Sequence, residues 1–250
     1  YTYYYGPTFY YTNNTRIEGN RIRTHAYANY HYGMRCYYMD STSYICNNEI
    51  IIHNNTTTSY GIYFYYPYGA ALANNSILVY GNATTHYGIY TYLYGTYHGS
   101  IHNNISITTG ASTSYPLYTS SLASVANFDI DYNCLWGDRY VAYLTAAVGD
   151  INTYQNTIPT PVHEISMHPT FMDTTVSLKP KTFSGLDCPR FGNENEDITG
   201  NSRFSLTTMG CYANQPAKNN AALANIINCG EQSYITDTIC PSVILTNAGM

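Results

Sequence analysis

Charge is what this sequence has least of. Its 250 residues carry 10 Lys and Arg against 15 Asp and Glu, a charged fraction of 10% and a net charge of −5. So few basic side chains cannot build the surface that phosphate contacts need, which excludes a general nucleic-acid binder. Low charge combined with 44% hydrophobic residues is also the opposite of the disordered signature. Tryptophan occurs once. No apolar run approaches the ~18 residues of a membrane helix, so no membrane span is expected. The chain opens at Tyr1 without a basic stretch leading into an apolar one, so a secreted form would be a processed or internal segment. The cysteines at 36, 46, 134, 188, 211, 229 and 240 include no Cys-x-x-Cys, which argues against zinc ribbons and thioredoxin-like chemistry. Cys229 and Cys240 close a short loop and are the candidate disulfide. The 8 His include no His-Glu-x-x-His and no His-x-His, which disfavours a transition-metal site.

Tyrosine is what the sequence has in excess. There are 31, of which 28 precede residue 144. They are periodic. Tyr-Gly recurs at 5/6, 32/33, 60/61 and 87/88, followed by Tyr-Pro at 115/116, a period of 27 to 28. A second marker keeps step: Ile17-x-x-Asn20-x-Ile22, Ile45-x-x-Asn48-x-Ile50 and Leu72-x-x-Asn75-x-Ile77. It continues, with slippage, in Ile101-His-Asn-Asn-Ile105 and Val125-x-Asn127-Phe128. Apolar residues alternate at period two in Ile50/Ile52, Ile77/Val79, Ile105/Ile107 and Phe128/Ile130, the pattern of strands. Gly, Asn and β-branched residues stand where a helical repeat would need Ala, Leu, Glu and Lys. Short strands, a fixed period and a turn Asn in each unit specify an all-β chain, the coils of a parallel β-helix that bury a core only by stacking.

Side-chain parity then assigns faces. With Met34, Ile62, Ile89 and Leu117 pointing inward, Cys36, Phe64, Thr91 and Thr119 also point inward. Two columns face out: Arg35, Tyr63, Tyr90 and Tyr118, and beside them Tyr37, Tyr65, Tyr92 and Ser120. These form an exterior aromatic face, the candidate binding surface, and the rings also stiffen the stack. Asn20, Asn48 and Asn75 fall at an inward corner, where amides can hydrogen-bond along the column.

After residue 144 the repeat stops. Short motifs follow: Asp131-Tyr132-Asn133-Cys-Leu-Trp136, Ile151-Asn-Thr-Tyr154-Gln155, Glu164-Ile-Ser-Met-His168-Pro169-Thr-Phe171, Val176-Ser-Leu178-Lys179, Asp197-Ile198-Thr-Gly200-Asn-Ser-Arg203 and Met209-Gly210-Cys-Tyr212-Ala213. Their order, with the repeats upstream, resembles secreted parallel β-helix proteins of the pectate-lyase-like superfamily, of the bacterial surface type, over residues 5 to 213. The resemblance implies a right-handed parallel β-helix and an extracellular or cell-surface location. Where that family reads Asp-Pro this chain has His168-Pro169, and its closing Asp-Ile-Gly-Ala-Tyr-Glu is replaced by Met209-Gly-Cys-Tyr-Ala213. Three segments result: Tyr-rich coils over 1–143, irregular coils or a cap over 144–213, and a linker with partial strands over 214–250. The last resembles the start of an immunoglobulin-like module, too short to be complete and open to strand addition from another chain.

Function follows the architecture only in part, because this fold hosts lyases, hydrolases, adhesins and fibres. The expected role is an extracellular structural and adhesive component, a candidate fibre subunit that associates with itself or neighbouring chains. A polysaccharide lyase-like enzyme is the alternative, with Arg21 and Arg23 sharing one strand face near Arg16, Arg35, His25, His31 and His53 to receive an anionic sugar. A non-catalytic glycan-binding module is the third reading. Asp129, Asp131 and Asn133 are the candidate Ca²⁺ ligands, three oxygen donors at alternate positions, and otherwise no cofactor is expected. Sequons at Asn13, Asn54, Asn55, Asn74, Asn82 and Asn104 are candidate N-glycosylation positions in a secreted chain.

Overall fold

The computed structural model describes residues 2–25, 27–92, 98–119, 128–158, 162–215, 221–227 and 242–247. The chain is a parallel β-solenoid of about five turns. Each coil supplies one strand to each of three stacked parallel sheets, with neighbours at the ~4.8 Å spacing of sheet hydrogen bonds. The first sheet contains Tyr30–Tyr37, Thr58–Tyr65, Thr85–Tyr92 and Thr113–Thr119, with Tyr3–Tyr5 and Thr8–Tyr10 both pairing on Tyr30–Tyr37. The second stacks Arg21–His25, Glu49–His53, Ser76–Tyr80, Ile105–Thr109 and Cys134–Gly137. The third stacks Arg16–Glu18, Tyr44–Cys46, Ala71–Ala73, Gly99–His102 and Phe128–Asp131.

Stacking converts equal positions in the repeat into columns. Ile17, Ile45, Leu72, Ile101 and Ile130 line the core from the third sheet, and Met34, Ile62, Ile89 and Leu117 line it from the first. Each fully buried aliphatic side chain contributes ~1.5–3 kcal/mol. Cys36, Phe64, Thr91 and Thr119 are buried beside them, as parity requires.

The corner between the third and second sheets carries an amide ladder. The Nδ2 groups of Asn20, Asn48, Asn75 and Asn104 donate to the Oδ1 of the next Asn at 2.9, 2.9, 3.0 and 2.9 Å, ending on Asn133. Each Oδ1 also accepts the backbone N–H of the Asn above it. Asn133 closes the column on Glu164 Oε1 at 3.2 Å. The residue before each ladder Asn is left-handed: Gly19, Asn47, Asn74, Asn103 and Tyr132, with φ of 69, 53, 54, 56 and 55°. Gly and Asn enter that region at least cost, which is why Asn-Asn recurs there.

The ladder also corrects the phase of the later coils. The marker runs on without slippage as Ile101-x-x-Asn104-x-Ser106 and Ile130-x-x-Asn133-x-Leu135. Ile105 and Ile107 pair with Ser76 and Leu78, so they face outward, and the inward place of Ile77 passes to Ser106. The Asn spacing is 28, 27, 29 and 29. Ser106 in the inward place is what looked like slippage over residues 101–105, and Val125 and Asn127 lie outside the described residues.

The coil does not continue through 144–213. Ala147–Val148 turns back antiparallel on Ala142–Leu144, and the helix Ile151–Thr157, N-capped by Asp150, sets the buried ring of Tyr154 against the end of the core. Beyond it the chain returns along the coils. Phe171, Leu178, Leu186, Cys188 and Met209 pack on Ile51, Leu78, Ile105 and Ile107, covering the outer face of the second sheet. Residues 215–250 form a separate unit, in which Ala221–Ile227 pairs antiparallel with Ser242–Asn247. Cys229 and Cys240 lie outside the described residues.

Candidate functional site

The outer face of the first sheet is tyrosine. Tyr63, Tyr90, Tyr118 and Tyr143 stack at centroid separations of 4.8, 4.8 and 4.6 Å, with planes within 15° of parallel. Arg35 heads this column, its guanidinium 4.3 Å from the Tyr5 ring centre and donating to the Tyr37 hydroxyl at 2.7 Å. The neighbouring column, Tyr10, Tyr37, Tyr65 and Tyr92, is looser, with planes tilted 48 and 55° before the last pair closes to 14°. The described members of both columns occupy the positions that parity assigns, and Ser120 lies outside the described residues.

A third column was not predicted. Tyr5, Tyr32, Tyr60, Tyr87, Tyr115 and Tyr140 stack in sequence, Tyr32 on Tyr60 at 4.6 Å and 4°. Strict alternation from Ile62 would turn Tyr60 inward. The Gly of each Tyr-Gly pair breaks the alternation, since Gly61 and Ile62 are both buried between the outward Tyr60 and Tyr63. Glycine is required there because a Cβ on Gly33 would lie 2.6 Å from the Gly61 carbonyl oxygen and 2.8 Å from Ile52 Cδ1. The repeated Tyr-Gly was the signal that could have revealed this column. A fourth forms at the sheet edge, where Tyr11, Tyr38 and Tyr66 stack at 4.5 and 5.2 Å despite φ of 52, 54 and 50°. A bulky residue in that region costs ~1–3 kcal/mol, of the order of two stacking contacts.

Apart from Arg35 at its head, the described face carries no charge. Burial among neighbouring rings pushes the Tyr32 phenol up to about 12 and raises Tyr60, Tyr63 and Tyr87 further, so the hydroxyls stay protonated at neutral pH. The rings are half-buried, packed against one another.

The other sequence candidates are placed differently. Arg23 donates to Glu49 Oε1 at 2.6 Å and also bonds the Val176 carbonyl, while Arg21 Nε lies 3.8 Å from the same carboxylate. Glu49 is fully buried and accepts from Leu178 N at 2.8 Å and the Tyr212 hydroxyl at 2.7 Å. Arg23 therefore holds the returning segment to the coils and is not a free base. His31 is not part of a cationic patch, because it faces the interior beside Thr24 and burial lowers its pKa to about 4.

Asp129, Asp131 and Asn133 do not converge. Asp129 pairs with His102 Nε2 at 3.0 Å and Asp131 with His163 Nδ1 at 3.0 Å, while Asn133 points inward into the ladder. Alternation carried through Tyr132 overlooked its left-handed turn, which redirects the chain. Among the described residues, Glu18, Cys46 and Glu194 do bring donor atoms within 4.8 Å of one another. Arg16 already occupies the place a cation would take, at 2.6 Å from Glu18 and 2.8 Å from Glu194.

Of the sequons, Asn13, Asn55 and Asn82 are exposed. Asn54, Asn74 and Asn104 are fully buried, Asn104 within the ladder, so the folded chain cannot present them to a glycan.

No family model, no curated protein and no solved structure matches this chain. The resemblance to the pectate-lyase-like superfamily therefore rests on the quoted motifs and the coil architecture.

Proposed function

We propose that this chain is a structural and adhesive β-solenoid of the cell surface or extracellular space, and that its tyrosine face is the contact surface. One observation carries the reading: three adjacent tyrosine columns, one of six rings and two of four, share one face. Aligned, uncharged rings with hydroxyls at their rims suit the apolar faces and hydroxyls of sugar rings, or a neighbouring protein surface rich in apolar groups. The amide ladder and the returning segment make the scaffold rigid, so binding costs little ordering entropy. A lyase mechanism finds less support, since Arg23 is committed to Glu49. A head-to-tail fibre built by strand stacking also finds less, because the Ala147–Val148 turn and the following helix cover the last coil.

The test is binding of the purified chain to a glycan array and to its own immobilised copies, compared with a Tyr63→Ala/Tyr90→Ala double variant. Loss of binding in the double variant, with the coil retained by circular dichroism, is the expected result. Binding that survives both substitutions would refute the assignment of the face. Transfer to an Arg21→Ala/Arg23→Ala variant's loss instead would favour the anionic-sugar reading.

A further inference from the structure

Two histidines that are far apart in sequence meet on the second sheet. His25 and His53 occupy the same register on Arg21–His25 and Glu49–His53, 28 residues apart. Their Nδ1 atoms are 3.2 Å apart, and the rings stand 79° to each other with centroids at 4.2 Å. In the metal-free chain one Nδ1 carries a proton and donates it to the other; an ion that displaces this proton meets two imidazole nitrogens on the same spot of the sheet. A tetrahedral ion bound by two imidazoles at ~2.0–2.1 Å separates the nitrogens by about 3.3 Å. The pair already has that spacing.

The surroundings suit an ion. Tyr80, next in the column, stacks on His53 at 4.7 Å and 22°, fixing that ring. A pocket of about 310 Å³ opens beside them, lined by Arg23, Thr24, Ile51, Tyr80 and Thr175 together with the two histidines, and leaves room for water to complete the coordination. The one cation in it, Arg23, is neutralised by Glu49.

We infer that His25 and His53 form a two-imidazole site for a divalent transition ion of the Zn²⁺ or Ni²⁺ type, clipping the first coil to the second. The absence of a His-x-His motif does not bear on this, because the pairing is made by coil stacking. Imidazole donors suit these ions. Both ligands stand on backbone already hydrogen-bonded in register, so binding needs little rearrangement.

Calorimetric titration of the metal-free full chain with zinc chloride and with nickel chloride tests this. One ion per chain is expected, with affinity weakened at least about tenfold by either His25→Ala or His53→Ala and unchanged by His98→Ala and His168→Ala. To separate ligand loss from fraying of the first coil, His53→Gln is measured alongside, with each variant's metal-free melting temperature. Imidazole resonances of His25 and His53 should shift together on zinc addition. Binding that survives His53→Ala, or falls equally in the control variants, would overturn the inference.

Discussion

Stability of this fold should peak near pH 6.5 and fall on both sides, because its buried titratable groups oppose one another. His31 and His86 are fully buried, and burial lowers both to about 4 from 6.5. Glu164 closes the amide ladder, and burial raises it from 4.5 to about 8. Between pH 4.5 and 6.5 the unfolded chain holds two histidine protons that the folded chain lacks, while the folded chain holds one glutamate proton that the unfolded chain lacks. The net difference is one proton, so stability rises by ~1.4 kcal/mol per pH unit, roughly 2–3 kcal/mol over the interval. Above 6.5 only Glu164 differs, with the extra proton on the folded side, so stability falls by roughly 2 kcal/mol as the pH reaches 8. For a chain of this size that amounts to about 4–8 °C in melting temperature. Glu164→Gln keeps an oxygen to accept from Asn133 and cannot ionise. It should abolish the fall above pH 6.5 and double the slope below it. Melting curves of both proteins from pH 4.5 to 9 measure this. A wild-type profile flat between pH 6.5 and 8, or a Gln variant that keeps the fall, would refute the assignment of a buried, neutral Glu164.

Asn75→Ala should cost roughly 2–5 kcal/mol in denaturant unfolding, since it leaves the buried N–H of Asn48 and one of its two Nδ2 protons without an acceptor, the other staying on the Ile17 carbonyl. Asn20→Ala at the exposed end of the ladder should cost under about 1 kcal/mol. Gly61→Ala should destabilise by about 1–3 kcal/mol or more, because its methyl would press on the Gly88 carbonyl and Ile77, and thermal melts check it. Glu49→Gln should loosen the returning segment, read as faster limited proteolysis within 171–213, whereas Arg21→Ala, whose ion pair is long and partly exposed, should leave the cleavage pattern unchanged.

Much of the candidate face was legible because a solenoid turns sequence period into columns. Tyr63, Tyr90 and Tyr118 share a phase of the repeat, and so they share a column whatever the rest of the chain does. Asn20, Asn48 and Asn75 follow the same logic, each donating to the amide oxygen of the next. The Tyr60 column was hidden because alternation was extended through a glycine that interrupts it. The phase of Asn104 and Asn133 was blurred because connections between sheets differ in length by a residue while the strands stay in register.

By itself, then, the sequence determined the coil, its inward aliphatic columns and the aromatic character of one face, all consequences of local pattern repeated at a fixed spacing. Only the tertiary structure decided what Arg23, Glu49, Asp131 and the histidines do. Their partners come from other coils or from the returning segment, Leu178 and Tyr212 for Glu49, His163 for Asp131 and His53 for His25. The contacts of Glu49 and Asp131 leave no trace in the repeat, because they arise from how the last third of the chain is laid against the stack, whereas His25 meets His53 through the 28-residue coil spacing itself. The tyrosine excess is thus a property of the repeat, and the sites around it are a property of the fold.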